Sequence, residues 1–274
     1  MVTRFLSAFI ALPIALYLIG MGGWWFGSLI LIVAAVGLNE FFRMTQPSDP
    51  VAQWGLTAFG VFIVYAALTG YLNGSRALIF MSAMLIGLLT YFLFRTGNVN
   101  TVGNRVSLAL LGLGWAGGLL AVTACLRLLP GGTGWLILAC ALAWGSDSGA
   151  YFGGRMFGRT KLYPKVSPNK TWEGSVVGVF TAALIAFAVR EVLTIDIATS
   201  ELFALSALGA VMGQIGDLSE SLLKRSVGVK DSGSIMPGHG GLFDRLDALM
   251  FTGPAVFAYA AGWRALSPVY LSGF

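Results

Sequence analysis

Two carboxylates stand inside long apolar runs, where charge is costly. Asp147 lies in Trp144-Gly145-Ser146-Asp147-Ser148, and Asp217 in Gln214-Ile215-Gly216-Asp217. An ionisable side chain within a membrane span marks a functional site by default. Each is followed eight residues later by an arginine, Arg155 and Arg225. At a rise of about 1.5 Å per residue, both carboxylates sit roughly 12 Å below a basic rim. At matched depth in straight spans, they can line one cavity.

The densest chemistry lies in Ser221 to Asp247, SLLKRSVGVKDSGSIMPGHGGLFDRLD. It gathers Lys224, Arg225, Lys230 and Arg245 with Asp231, Asp244, Asp247 and the only histidine, His239. Asp217, Ser221 and Lys224 follow helical i, i+4, i+7 spacing, and Glu220 joins their stripe. Asp244 and Asp247, three apart, share a face if the last helix has begun there. Acids opening a helix also complement its dipole, which is the bland account of that pair. Several aspartates around one pocket suit a hard divalent cation, with Mg²⁺ held by one or two carboxylates plus substrate phosphates. The two cysteines, Cys125 and Cys140, lie in apolar runs and read as core filler, with neither a disulfide nor a zinc site suggested.

The loops look built for polyanions. Ser167-Pro168-Asn169-Lys170-Thr171 reads as a helix start, with Ser167 as cap and Pro168 in the first helical position. Free N–H groups there, beside Lys170, would bind phosphate. Pro237-Gly238-His239-Gly240-Gly241 lets backbone amides approach a ligand. Attraction to anionic lipid accounts for isolated cations such as Arg43 or Arg95, but poorly for cations interleaved with Asp, His and Gly. A lone histidine in a polar loop is often merely solvated. Its place between glycines beside the aspartates favours a ligand contact, without making it a general base.

These residues need a scaffold. Apolar residues make up 57% of the 274 and charged residues only 11%, about half the charge of a soluble domain. That leaves no room for a separate soluble domain, and nothing resembles a nucleic-acid motif. Apolar stretches predict about nine spans, near 5–22, 24–44, 54–72, 76–94, 106–129, 133–156, 174–193, 201–223 and 249–271. The expected fold is an all-α polytopic membrane protein with a cytoplasm-facing polar cavity. Residues 1–130 carry spans one to five, and residues 131–274 the catalytic spans six to nine, in one integral unit. The first span reads as uncleaved. Loops 155–173 and 224–248 fall on one side. Of the 17 Lys and Arg, only Arg76, Arg127, Arg190 and Arg264 lie opposite. The positive-inside rule then puts the N-terminus and the charged loops in the cytoplasm. Gly114-xxx-Gly118 and Gly209-xxx-Gly213 have the spacing of close helix packing.

The pattern Ser221-x-x-Lys224-Arg225-x4-Lys230-Asp231-x-Gly233, then Pro237-x-His239-Gly240-Gly241-x-x-Asp244-Arg245-x-Asp247, resembles the signature of the phosphatidate cytidylyltransferases (CDP-diacylglycerol synthases). Asp147 to Gly174, with Ser167-Pro168-x-Lys170-Thr171-x-Glu173-Gly174, resembles the same family's second patch. The likeness in motifs covers the C-terminal half. Met236 stands where the family usually has Leu, Ile or Phe. The resemblance implies CTP and phosphatidate as substrates, Mg²⁺ as cofactor with a second cation left open, a homodimer, and a bacterial inner membrane. It implies Asp217 and Asp244 as metal ligands, with Lys224, Arg225, Lys230, Asp231, His239, Arg245 and Asp247 as catalytic-pocket residues. Asp147, Ser167, Lys170, Thr171, Ser221, Gly240 and Gly241 would bind substrate or phosphate. Two rivals are a CTP-using lipid enzyme such as a polyprenol-type kinase, and an ion-coupled transporter.

Overall fold

The computed structural model describes residues 13–72, 74–95, 97–235 and 240–263. Residues 13–21 are helical, and eight longer helices follow. They are α1 (Gly23–Thr45), α2 (Pro50–Leu68), α3 (Gly74–Phe94), α4 (Val99–Leu128), α5 (Gly132–Phe157), α6 (Trp172–Leu193), α7 (Thr199–Ser226) and α8 (Asp247–Phe257). α4 carries a π-turn at Leu113–Leu119, and α8 runs on as a π-turn over Ala258–Trp263. Among the described residues, six helices are long and apolar enough to cross a membrane: α1 to α4, α6 and α7. α5 is 26 residues long, but Gly145-Ser146-Asp147-Ser148-Gly149 dilutes its apolar character. The beginning of the expected first span, 5–12, and the end of the ninth lie outside the described residues.

Local sequence sets the helix ends. Asp49 caps α2 by accepting from the Ala52 N–H at 3.0 Å, and Pro50 takes the first turn. Asp49 also bonds Arg105 at 2.5 Å and the Tyr91 hydroxyl at 3.2 Å, and Gln46 accepts from Arg105 Nε. Burial alone would raise the Asp49 carboxyl, but the Ala52 N–H, Arg105 and Tyr91 together hold it below the ordinary aspartate value. This cluster ties the ends of α1 to α4 together.

The expected helix start at Ser167 is not there. Ser167–Thr171 is strand β2, paired antiparallel with β1 (Lys161–Tyr163), and helix α6 starts five residues later, at Trp172. Thr171, not Ser167, is the cap, its hydroxyl accepting from the Gly174 N–H at 3.2 Å. Pro168 locks a φ that an edge strand tolerates as well as a helix, and it biases Ser167 toward extended backbone. The fold is therefore helical with one small hairpin, and that hairpin carries Lys170.

Glycine sets how closely the helices cross. A Cβ at Gly145, Gly149 or Gly153 of α5 would strike Ile185, Thr181 or Val177 of α6. These three glycines recur at i, i+4, i+8, so one face of α5 is smooth backbone. Gly209 and Gly213 pack against Thr252 and Ala248 of α8 as their spacing suggests, and Thr252 Oγ1 donates to the Gly209 carbonyl at 2.9 Å. Gly114 and Gly118 do not meet another helix: the π-turn adds a residue to the turn, and Gly117 instead faces α2, where a Cβ added to it would come within 3.7 Å of the Gly60 backbone. Cys125 and Cys140 are both free.

Two apolar clusters make the core. One is formed mainly by α5, α6, α7 and α8, around Leu138, Leu142 and Ala182. The other centres on Phe41, Phe42, Val64 and Phe92 of α1 to α3, and it also takes in Leu223, Phe243 and Met250. The C-terminal chemistry-rich segment is thus packed into the N-terminal helices.

Candidate active site

A cavity of about 500 Å³ opens between α5, β2, α6 and α7. Asp147, Tyr151 and Arg155 line it from α5, Asn169, Lys170 and Thr171 from β2, Ser175 from α6, and Gln214 and Asp217 from α7. Asp147 and Asp217 therefore share one cavity, as their spacing from Arg155 and Arg225 suggests. Lys170 reaches across from the hairpin and pairs with Asp217 at 2.5 Å. About a quarter of each of these two side chains is exposed, so the pair faces the cavity rather than the core.

More charge is gathered at this end. Asp247 opens α8, is buried, and accepts from the Ala248 N–H at 2.7 Å. It feels the charges of both Asp217 and Asp147. Arg245 and Lys170 act on Asp147 from the opposite sign. The cavity and its margin thus bring Asp147, Asp217 and Asp247 together with Lys170, Arg155 and Arg245, so charges of both signs meet at one place.

Gln214 holds the floor. Its Nε2 donates to Ser146 Oγ and to the Ser175 carbonyl, each at 3.1 Å, while its Oε1 accepts from Ser175 Oγ. One side chain thus joins α5, α6 and α7 directly below the charged groups.

The Ser221–Asp247 stretch forms a second, drier network. Lys224 is buried between Glu220 at 2.8 Å and Asp244 at 2.7 Å. Asp244 lies in a 3-10 turn, Phe243–Arg245, before α8 begins, so it and Asp247 are not on one continuous α-helix face. Its oxygens accept from Lys224, from the Ser232 N–H at 3.1 Å and from the Gly241 N–H at 2.7 Å. Burial would raise this carboxyl, but its hydrogen bonds, those from Lys224 and the Gly241 N–H among them, outweigh burial and hold it at about 2. Gly240 adopts φ +77 beside Asp244 and Asp231, a backbone that favours glycine. Gly241 lies so close to Ser232 and Glu40 that a Cβ would overlap both.

The predicted residues therefore divide. Asp147, Lys170, Thr171 and Asp217 come together at the cavity, with Asp247 and Arg245 near enough to act on its charges. Lys224, Asp244 and Gly241 belong to the internal network, and Ser221 is half-buried one residue from Glu220. Arg225, Lys230 and Asp231 are exposed, with Arg225 donating to the Val229 carbonyl at 3.3 Å. Ser167 sits at the far end of β2, opposite Tyr163. His239 lies outside the described residues. Gln214, Ser175 and Glu40 were not singled out as site residues by the motifs. For Glu40 the signal was present: an acid inside an apolar run carries the same meaning as Asp147.

The donors around Asp217 are carboxylate oxygens, with the Lys170 ammonium already against one of them. Among the described residues no three His, Cys, Asp or Glu side chains form a ready cation cage. That suits Mg²⁺ only if substrate phosphates complete its shell, the usual arrangement for this ion.

Apolar helices around one charged cavity define the class, an integral helical membrane protein. The chain belongs to the Cytidylyltransferase family, whose model matches residues 2–262, and it is a nucleotidyltransferase. It is 32% identical to the phosphatidate cytidylyltransferase of Synechocystis sp. over 93% of this chain and 95% of that protein. The Staphylococcus saprophyticus protein of the same name is 31% identical over 93% of this chain and 96% of its own length. The Bacillus subtilis one reaches 44% identity over 46% of this chain and 47% of its own.

Proposed function

We propose that this protein transfers CMP from CTP to phosphatidate, giving CDP-diacylglycerol and pyrophosphate. The observation that carries the reading is the cavity in which Lys170 spans from the hairpin to Asp217, with Asp147 and Asp247 behind it. Carboxylates and lysine at one site suit a metal-bound triphosphate, and full-length relatives bear the matching name.

A phosphatidate oxygen would attack the α-phosphorus of CTP. It is anionic near neutral pH, so no strong base is needed. The barrier is repulsion between anions and charge growing on the pyrophosphate, so positioning and electrostatic stabilisation carry the catalysis. Lys170, Arg155 and Arg245 would neutralise phosphates. His239 and the glycine loop would orient one of them. Mg²⁺, when bound, would supply charge neutralisation and Lewis acidity to the phosphate oxygens. Asp217 would hold it, with Asp147 or Asp247 beside it. Asp244 suits a ligand role less well, because three donors already occupy its oxygens.

The loop charge asymmetry supports a cytoplasmic site and a cytoplasmic N-terminus in a bacterial inner membrane. A homodimer is part of the reading on family resemblance alone. The test is Asp217→Asn in purified protein, following CTP consumption and CDP-lipid formation against Mg²⁺ concentration. The expected result is a large loss of rate and a displaced Mg²⁺ dependence. Unchanged turnover and Mg²⁺ response would remove Asp217 from the metal. Release of CDP without CDP-lipid would turn the reading to a lipid kinase.

A further inference from the structure

We infer that Glu40, in the first long helix, is the positioning residue for the phosphate loop of this site, anchoring it from the opposite half of the chain. The inference rests on the reading of residues 231–245 as a substrate loop.

Glu40 is 6% exposed near the C-terminal end of an apolar helix, Gly23–Thr45. No cation pairs with it among the described residues. Its Oε2 accepts from the Phe243 N–H at 2.8 Å and lies 3.4 Å from the buried Ser232 hydroxyl. These partners are 203 and 192 residues away in sequence. A Cβ on either Gly233 or Gly241 would collide with the same carboxylate. The two described flanks of the loop, 231–235 and 240–245, therefore both close on the Glu40 side chain, with glycine at two of the contacts.

The next residue extends the anchor. Phe41 packs edge-on against Phe243 with ring centroids 5.4 Å apart, and Trp115 of α4 closes the other side at 5.8 Å. Phe243 is thus gripped at its amide and at its ring. Its neighbour Asp244 accepts from Lys224, Ser232 and Gly241. Holding Ser232 and Phe243 fixes both sides of Asp244, and with it the Gly240–Gly241 backbone and Arg245.

A carboxylate suits this task because two donors converge on one oxygen. Charge-assisted hydrogen bonds are shorter and stronger than neutral ones. An apolar side chain of similar size would leave the Phe243 N–H buried without a partner. The loop would loosen while the helices stayed packed.

The experiment compares wild type, Glu40→Leu, Glu40→Gln and Ser232→Ala as full-length purified protein. Backbone hydrogen exchange at Gly241–Phe243 is measured without substrate. KM for CTP and for phosphatidate are measured separately. Glu40→Leu is expected to speed exchange at Gly241–Phe243. It should raise KM for CTP about tenfold or more, with KM for phosphatidate within about twofold, given what one buried charge-assisted bond contributes. Glu40→Gln keeps an acceptor and should restore part of both effects. Ser232→Ala should move both in the same direction by less, and it tests the anchor if Glu40→Leu fails to fold. Wild-type exchange and wild-type KM for CTP in these variants, with only yield or thermal stability reduced, would overturn the inference. Fast loop exchange in variants of an enzyme that makes no CDP-lipid would leave the anchor standing and refute the function instead.

Discussion

Lys224 tests the distinction between a charge that binds substrate and one that holds the fold. Its ammonium lies 2.8 Å from Glu220 and 2.7 Å from Asp244, and Glu220 is 1% exposed. At an effective dielectric near 20, each contact is a gross attraction of about 6 kcal/mol. Desolvation cancels much of that. What Lys224→Met exposes is the remainder: two carboxylates buried together with no cation between them. Removing one partner of a buried ion pair costs about 3–5 kcal/mol. Glu220→Gln in the same background removes one orphan charge and should recover most of the loss. The assay is equilibrium unfolding in mixed detergent micelles, followed by fluorescence of the eight tryptophans. If Lys224→Met unfolds like wild type, or if the double variant is no more stable than the single, the network is not what holds Asp244. CTP turnover of the double variant gives a second result. Recovered stability with recovered activity assigns Lys224 to the scaffold, and recovered stability without activity assigns it to a phosphate.

Three further outcomes are expected. Gly241→Ala should lower stability by about 1–3 kcal/mol, because its Cβ overlaps Ser232 and Glu40. Gly228→Ala, in open space at φ +77, should cost only about 1–2 kcal/mol of backbone strain. Thermal unfolding of the two variants side by side checks the contrast. Asp49 has a depressed carboxyl, so the stability it contributes is complete above the ordinary value of 3.8 and is lost as pH falls below it. Asp49→Asn should therefore be less stable than wild type at neutral pH, with the gap narrowing below about pH 4, in unfolding curves measured against pH. Gln214→Ala gives up three hydrogen bonds beneath the cavity and should cost about 2–3 kcal/mol. It should also reduce CTP turnover at saturating substrate, since α5 and α7 would no longer hold Asp147 and Asp217 in register.

Much of the site was legible because membrane burial makes charge informative. Asp147 and Asp217 stand out in apolar runs, and equal offsets from Arg155 and Arg225 place them at one depth. Helix rise gave their common depth, and the packing of α5 against α7 puts them in one cavity. Lys170 was legible as a candidate from its motif, but its setting was misread: Ser167 and Pro168 fit a helix cap and an edge strand equally well. Only pairing with Lys161–Tyr163, a tertiary event, decides for the strand. Lys224 looked like a phosphate ligand because a sequence shows charge and not burial. Glu40 was missed because the motifs drew attention to the C-terminal half, although an acid in α1 carries the same signal as Asp147.

The sequence by itself determined the class of molecule, an integral helical membrane protein, through the energetic cost of placing charge in an apolar chain. It also determined which residues could do phosphate and metal chemistry, through spacing along helices of known rise. Tertiary structure alone decided which charges face the cavity and which are spent internally. That partition depends on contacts between residues about 200 apart, such as Glu40 with Phe243 and Ser232. No periodicity along the chain encodes such contacts, because the close approach of helices at particular glycines is what brings those residues together.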